Sequence, residues 1–137
     1  MEKSKIKKIF KGKSISLSRF MDKCLYDKDL GFYQKNRIGS HFTTSPEISQ
    51  AFGECVAIFL FRISHDLGVN KFIELGPGNG TLMSDIIRTI SKISKKEFLF
   101  YLYEKSSFLK KIQSKTLAKY NSKKTKIFSI QNLKLKK

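Results

Sequence analysis

The segment Glu74-Leu75-Gly76-Pro77-Gly78-Asn79-Gly80 constrains this chain more than any other, because three glycines alternate over five positions between two contrasting patterns. Before it stands Phe72-Ile73-Glu74-Leu75, a short run rich in strand formers. After it Leu82, Met83, Ile86, Ile87, Ile90 and Ile93 recur at helical spacing. A strand that turns through glycines straight into a helix opens a βα unit, and such loops sit at the carboxyl end of a sheet, where α/β folds bind ligands. Gly76 permits the sharp exit, Gly78 leaves room for a ligand against the backbone, and Gly80 allows close helix packing. The order is GxGxG, with Thr81 where a dinucleotide fold places its third glycine, which argues against NAD or FAD. No Gly-Lys-Ser/Thr follows, so this is not a loop for phosphates and magnesium.

The alternation continues downstream. Phe98 to Tyr103 reads as a second strand ending in Glu104. Ser106 or Ser107 caps a helix carrying Phe108, Ile112 and Leu117, and Lys126 to Ile130 reads as a third strand. Strands and helices in this order imply a parallel sheet with right-handed crossovers. Upstream, Leu17, Phe20, Met21, Cys24 and Leu25 mark an amphipathic helix with Ser16 at its N-cap, and Asp27 to Gly31 reads as a turn. Phe32 to Ser40 forms a loop or short hairpin. Ser45-Pro46-Glu47 then supplies a capping serine, a first-turn proline and a first-turn acid, and one long helix follows through Ile48, Phe52, Val56, Phe59, Leu60, Ile63 and Leu67 to a stop at Gly68.

Charge is the other conspicuous property. The formal net charge is +17, but residues 1–13 contribute six Lys against Glu2, and residues 105–137 contribute eleven Lys with no acid. Only four of the 28 basic residues are Arg, the side chain that phosphate and base readers use for bidentate contacts, so the charge is read as solvated surface and a nucleic-acid partner is disfavoured. No apolar run approaches the roughly 20 residues of a membrane span, and the basic start leads into no apolar signal core. Cys24 and Cys55 have no metal-ligand spacing, and each falls on a helix stripe, which predicts reduced, buried thiols and no metal site.

A carboxylate at the end of the second strand can accept hydrogen bonds from both hydroxyls of a ribose, and Glu104 stands there, 24 residues beyond Gly80. With Glu74 opening the loop and no phosphate-binding signature, the implied ligand is S-adenosyl-L-methionine in a Rossmann-like methyltransferase. The wider sequence resembles a particular family. Ile15-Ser16 with Phe20-Met21 and Leu25-Tyr26-Asp27, then Gly31-Phe32-Tyr33, then Phe42-Thr43-Thr44-Ser45-Pro46-Glu47-Ile48-Ser49-Gln50 with Phe52-Gly53-Glu54, and the glycine loop through Leu82-Met83 are similar to the MidA family, across residues 15–115. The resemblance implies a class I methyltransferase whose mitochondrial relatives methylate arginine in a respiratory complex I subunit during assembly. It also implies that Thr44, Ser45, Pro46 and Glu47 lie beside the cofactor, where a capped helix start would suit its carboxylate.

The expected fold is therefore α/β: a Rossmann-like class I methyltransferase fold with an incomplete parallel sheet of three strands, preceded by a helical N-terminal cap. Residues 1–13 are read as a basic flexible N-terminus, 14–69 as the helical cap region, and 70–137 as the first half of the cofactor-binding domain. The cofactor-binding set is Thr44, Ser45, Pro46, Glu47, Glu74, Gly76, Gly78, Gly80 and Glu104; no catalytic residue is identifiable. The family usually has Gly-Asp where Ser40 and His41 stand, and often Arg at Asn79; His41 is read as solvent-facing and His65 as unpartnered. The first strand is expected to keep one edge open, a route to dimerisation. The compartment implied is the cytoplasm of a bacterium or the mitochondrial matrix of a eukaryote. The alternative reading is a truncated, non-catalytic homologue that acts as a protein-binding module.

Overall fold

A computed structural model describes residues 14–131; the basic stretch read over 1–13 and the end of the basic tail lie outside the described residues. The chain divides into two compact units, Met1–Asn36 and Arg37–Lys137.

In the first unit, α1 spans Leu17–Tyr26, and Ser16 caps it by accepting the Arg19 N–H on its hydroxyl at 3.4 Å. The turn after it forms because Asp27 Oδ1 accepts the N–H groups of Asp29 and Leu30, each at 3.1 Å. Gly31 N–H then donates to the Asp27 carbonyl at 2.8 Å, and a Cβ at Gly31 would stand 2.5 Å from that same backbone. A short 3-10 turn over Phe32–Gln34 follows, the loop alternative rather than the hairpin. No residue of α1 is buried. Cys24 is therefore exposed, against the buried thiol expected, because the apolar stripe on which it lies stays uncovered.

In the second unit, the single helix expected from Ser45 to Leu67 is two helices. The first, α2 (Ser45–Ile48), is one turn with Thr44 rather than Ser45 at its N-cap and with Pro46 and Glu47 in that turn. At Ser49 the backbone becomes extended and the hydroxyl accepts the Ala51 N–H at 3.2 Å, so the chain restarts as α3 (Gln50–Leu67). Gly68 ends α3 in the left-handed conformation, φ +65°. The line α3 buries is Gly53, Ala57 and Ser64. Cys55 lies off that line and is exposed, so the buried-thiol expectation fails for it too. His65, expected without a partner, has Nδ1 3.5 Å from Asp66 Oδ1.

Three strands, β1 (Lys71–Leu75), β2 (Phe98–Tyr103) and β3 (Thr125–Ile130), form a parallel sheet in the order β1-β2-β3, with α4 (Thr81–Ile93) and α5 (Ser107–Leu117) as the crossovers. This is the α/β architecture that the alternation of strand and helix implied. Because side chains alternate across a strand, one face carries Phe72, Phe98, Phe100 and Leu102, and these meet Met83, Ile86, Ile87 and Ile90 of α4 and Ala57 of α3 in the core. Phe72 stacks on Phe98 and Phe100, with ring centroids 5.7 and 5.6 Å away. Burying each such ring contributes on the order of 2 kcal/mol. The opposite face is open: Ile73, Leu75 and Phe128 are 51%, 63% and 41% exposed. Among the described residues β1 pairs with β2 alone, leaving its other edge free.

Two helices approach closely where Gly53 of α3 faces Asp85 of α4, since a Cβ at Gly53 would lie 2.4 Å from the Asp85 Cβ. Arg88 ties this crossing together, with Nη1 2.9 Å from Asp85 Oδ1 and Nη2 3.2 Å from Glu54 Oε1. The crossing and the sheet together hold the amino end of α4, and with it the glycine loop, against the carboxyl ends of β1 and β2. No helix among the described residues is long and apolar enough to cross a membrane.

Candidate functional site

The glycine loop leaves β1 beside the end of β2. Gly76 takes φ +71° and donates its N–H to the Tyr103 carbonyl at 2.8 Å, which extends the β1–β2 ladder by one bond into the loop. Gly80 N–H closes a turn on the Pro77 carbonyl at 2.8 Å, at φ +82°. α4 begins at the next residue. All three glycines of the motif adopt positive φ, the conformation that L side chains disfavour, so their alternation is a backbone requirement.

Each glycine also has its own steric reason. A Cβ at Gly80 would stand 3.1 Å from the Gln113 Cβ, so this glycine admits α5, in keeping with the close helix packing expected of it. Gly76 has nothing within 4 Å and needs only its φ. Gly78 was expected to make room for a ligand; here a Cβ would lie 2.8 Å from Cγ1 of Ile38, so the space it vacates is filled by the chain itself. Ile38 is forty residues upstream, and no pattern in the sequence points to it.

Glu104 is 5% exposed at the end of β2. Its Oε2 accepts the Gly78 N–H at 3.3 Å and its Oε1 accepts the Ser106 N–H at 2.8 Å, which joins the loop after β1 to the loop after β2. Ser106 is also the cap of α5, its hydroxyl accepting the Leu109 N–H at 3.0 Å; of the two serines open to that role, Ser106 holds it. Glu74, the last but one residue of β1, has an Oε2 that is buried and makes no hydrogen bond. Burial, and next the negative charge of nearby Glu104, push its carboxyl up to about 7.

On the other side of the loop stands Glu47. Its Oε1 accepts the Thr81 hydroxyl at 2.7 Å and the Asn79 side-chain amide at 3.1 Å, and the same amide nitrogen donates to the Ile38 carbonyl at 2.8 Å. Within the Thr44–Glu47 block it is Glu47 whose side chain hydrogen-bonds to the loop; Thr44, Ser45 and Pro46 build the turn that carries it, with the Thr44 carbonyl accepting the Glu47 N–H at 2.9 Å. That turn is too short to carry the helix dipole expected to hold a carboxylate. His41 is exposed. Asn79 and Thr81 fasten the loop, a role not expected of them from the sequence, although a polar donor on either side of Gly80 and an acid in the Thr44–Glu47 block are both visible there.

The arrangement thus offers two carboxyl groups at adjacent strand ends, one with an unpartnered buried oxygen, beside backbone N–H groups of a glycine turn. It suits a ligand that carries both hydroxyls and a positive charge. A sequence profile assigned to S-adenosyl-L-methionine-dependent methyltransferases matches residues 55–135. The chain belongs to this family. Among curated proteins, it is 35% identical over 114 residues to the Drosophila melanogaster protein arginine methyltransferase NDUFAF7 homolog, mitochondrial, covering 78% of this chain and 26% of that protein. It is 35% identical over 117 residues to the human protein arginine methyltransferase NDUFAF7, mitochondrial, covering 77% and 26%. Among solved structures, a candidate methyl transferase from Burkholderia thailandensis bound to S-adenosyl-homocysteine superposes with a TM-score of 0.73 at 23% identity, over 90% of this chain and 35% of that one. The chain spans about a quarter of the length of these curated relatives.

Proposed function

We propose that this chain forms the cofactor-binding part of an S-adenosyl-L-methionine-dependent methyltransferase acting on a protein arginine, in a respiratory complex I subunit. Within it, residues 70–137 belong to the cofactor-binding domain. In a eukaryote the setting is the mitochondrial matrix, and in a bacterium the cytoplasm. The observation that carries this reading is the pair of strand-end carboxyls around the glycine turn: Glu104 within 3.3 Å of the Gly78 nitrogen, and Glu74 with a buried oxygen that lacks a partner. The family match and the arginine methyltransferase names of its relatives support the chemistry.

The residues fit the group. Glu104 would accept the ribose hydroxyls, Glu74 would offer an acceptor to a cationic substituent, Gly76, Gly78 and Gly80 would shape the turn around it, and Thr44, Ser45, Pro46 and Glu47 would stand beside it. When bound, S-adenosylmethionine supplies a methyl group on a sulfonium, which already carries a good leaving group. What the protein must add is alignment of the acceptor and exclusion of water rather than strong acid or base chemistry.

Calorimetry with S-adenosylhomocysteine tests the site. Removing a charged acceptor of ligand hydroxyls forfeits about 1.5–3 kcal/mol, so Glu104→Ala should bind roughly 10- to 100-fold more weakly than the native chain. Equal affinity would overturn the assignment of Glu104. The open sheet face with Ile73, Leu75 and Phe128 exposed favours a second reading, a protein-binding module without catalysis. Transfer of labelled methyl to protein arginine by the native chain decides between them.

A further inference from the structure

We propose that Glu47 is a positioning residue for the glycine loop: with Asn79 and Thr81 it forms a buckle that holds Gly78–Gly80 in the shape the cofactor needs, and it acts through the loop rather than on the ligand. The proposal rests on the cofactor-binding reading given above. Three observations carry it. One carboxylate oxygen of Glu47 receives two donors, Thr81 Oγ1 at 2.7 Å and Asn79 Nδ2 at 3.1 Å, and these two residues flank Gly80. The Asn79 nitrogen also reaches the Ile38 carbonyl at 2.8 Å, so a single side chain joins the loop to two separate upstream positions. Ile38 in turn fills the space beside Gly78 that a Cβ would take.

The physical need for such a device follows from the backbone. Three positive φ values within five residues are an unusual set, and glycine reaches them at the cost of a large conformational freedom in the unfolded loop. The ladder fixes only the first glycine, through Gly76 N–H and the Tyr103 carbonyl. Beyond it, Pro77 to Gly80 is secured from the sheet side by the Gly78–Glu104 bond at 3.3 Å, which is long for a hydrogen bond. Glu47 supplies the fastening from the opposite side. Thr81 is the first residue of α4, so the same oxygen sets where the turn ends and the helix begins. The Thr-Ser-Pro-Glu turn then has a role independent of any helix dipole: its proline, and the Thr44 carbonyl that accepts the Glu47 N–H at 2.9 Å, hold Glu47 in place.

Charge and acceptor geometry are separable by substitution. Gln at position 47 keeps an oxygen that can accept from both donors, whereas Ala removes it. If Glu47 acts through the loop, Glu47→Gln binds S-adenosylhomocysteine within about threefold of native and Glu47→Ala loses 10-fold or more. Asn79→Ala and Thr81→Val each reproduce part of that loss, and combining either with Glu47→Ala adds little further. Amide hydrogen exchange on the ligand-free full chain gives the second readout: exchange at Gly80, whose N–H bonds the Pro77 carbonyl, speeds up in Glu47→Ala and stays near native in Glu47→Gln. The proposal is overturned if Glu47→Gln is as impaired as Glu47→Ala while Asn79→Ala and Thr81→Val bind normally, since Glu47 would then meet the ligand by its charge. It is equally overturned if loop exchange is the same in the native chain, Glu47→Ala and Glu47→Gln. Absence of ligand binding by the native chain would defeat the cofactor reading and leave the exchange comparison to decide the buckle.

Discussion

Gly78→Val should lower the stability of the chain by about 2–5 kcal/mol and abolish measurable binding of S-adenosylhomocysteine. Two separate costs add. A left-handed φ, +56° here, costs an L residue roughly 1–2 kcal/mol, and more for a β-branched one. A Cβ would also press to 2.8 Å from Cγ1 of Ile38, an overlap that typically costs about 1–3 kcal/mol in a packed setting. The two parts can be told apart. Gly78→Ala combined with Ile38→Ala relieves the overlap and leaves the φ cost, so the double variant should melt higher than Gly78→Ala alone and still below native. Thermal unfolding followed by circular dichroism measures this. A Gly78→Val chain that melts with the native one would show that the loop is free to adopt another conformation, against the tight turn described.

Glu74 carries the other large effect, and it depends on pH. The folded chain holds the Glu74 proton up to about pH 7, whereas an unfolded carboxyl releases it near 4.5. Between those values the native state binds more protons than the unfolded state, so stability falls as pH rises across the window and levels off above it. A difference of this size corresponds to about 3 kcal/mol above pH 7. Glu74→Gln replaces the buried charge by a neutral group of the same shape. It should therefore match the native chain near pH 4 and exceed it above pH 7, by roughly 10 °C in melting temperature for a domain of this length. In the native chain Glu104 is the lesser cause of the shift, after burial, so Glu104→Gln should flatten only part of the same slope. If Glu74 also receives a cationic group of the cofactor, Glu74→Gln will be the more stable and the weaker binder, the trade-off expected of a functional carboxyl. A native chain whose stability is flat from pH 4.5 to 7 would contradict the burial of this group.

The parts of the fold legible in the sequence are those with a local cause. β2 was readable to the residue, Phe98–Tyr103, because six consecutive aromatic and aliphatic side chains are bounded by charge on both sides. Gly68 and Ser16 act where short-range capping chemistry puts them. Glu104 was legible as a strand-end acid, and its place beside the Gly78 nitrogen follows from the βαβ connection alone. The break at Ser49 was not, since Ile48 and Phe52 continue an apolar spacing across it and only the local φ and ψ reveal the restart. Cys55 was misjudged for a related reason. α3 carries apolar residues on more than one side, with Ile58 and Phe59 57% and 65% exposed, so periodicity alone could not say which side the core takes. Ile38, Glu47 and Asn79 meet from two loops and a one-turn helix far apart in the chain, where no periodic pattern exists to be read.

The central claim is that the turn through Gly76, Gly78 and Gly80, with Glu74 and Glu104 at the strand ends, receives S-adenosylmethionine. Amide chemical shifts of the full chain, followed by NMR during titration with S-adenosylhomocysteine, test it most directly. Saturable shifts concentrated at residues 76–81 and 104–106, reached in Glu104→Ala only at roughly 10- to 100-fold higher ligand, are the predicted result. Saturable shifts confined to other parts of the chain, or none at millimolar ligand, would contradict it.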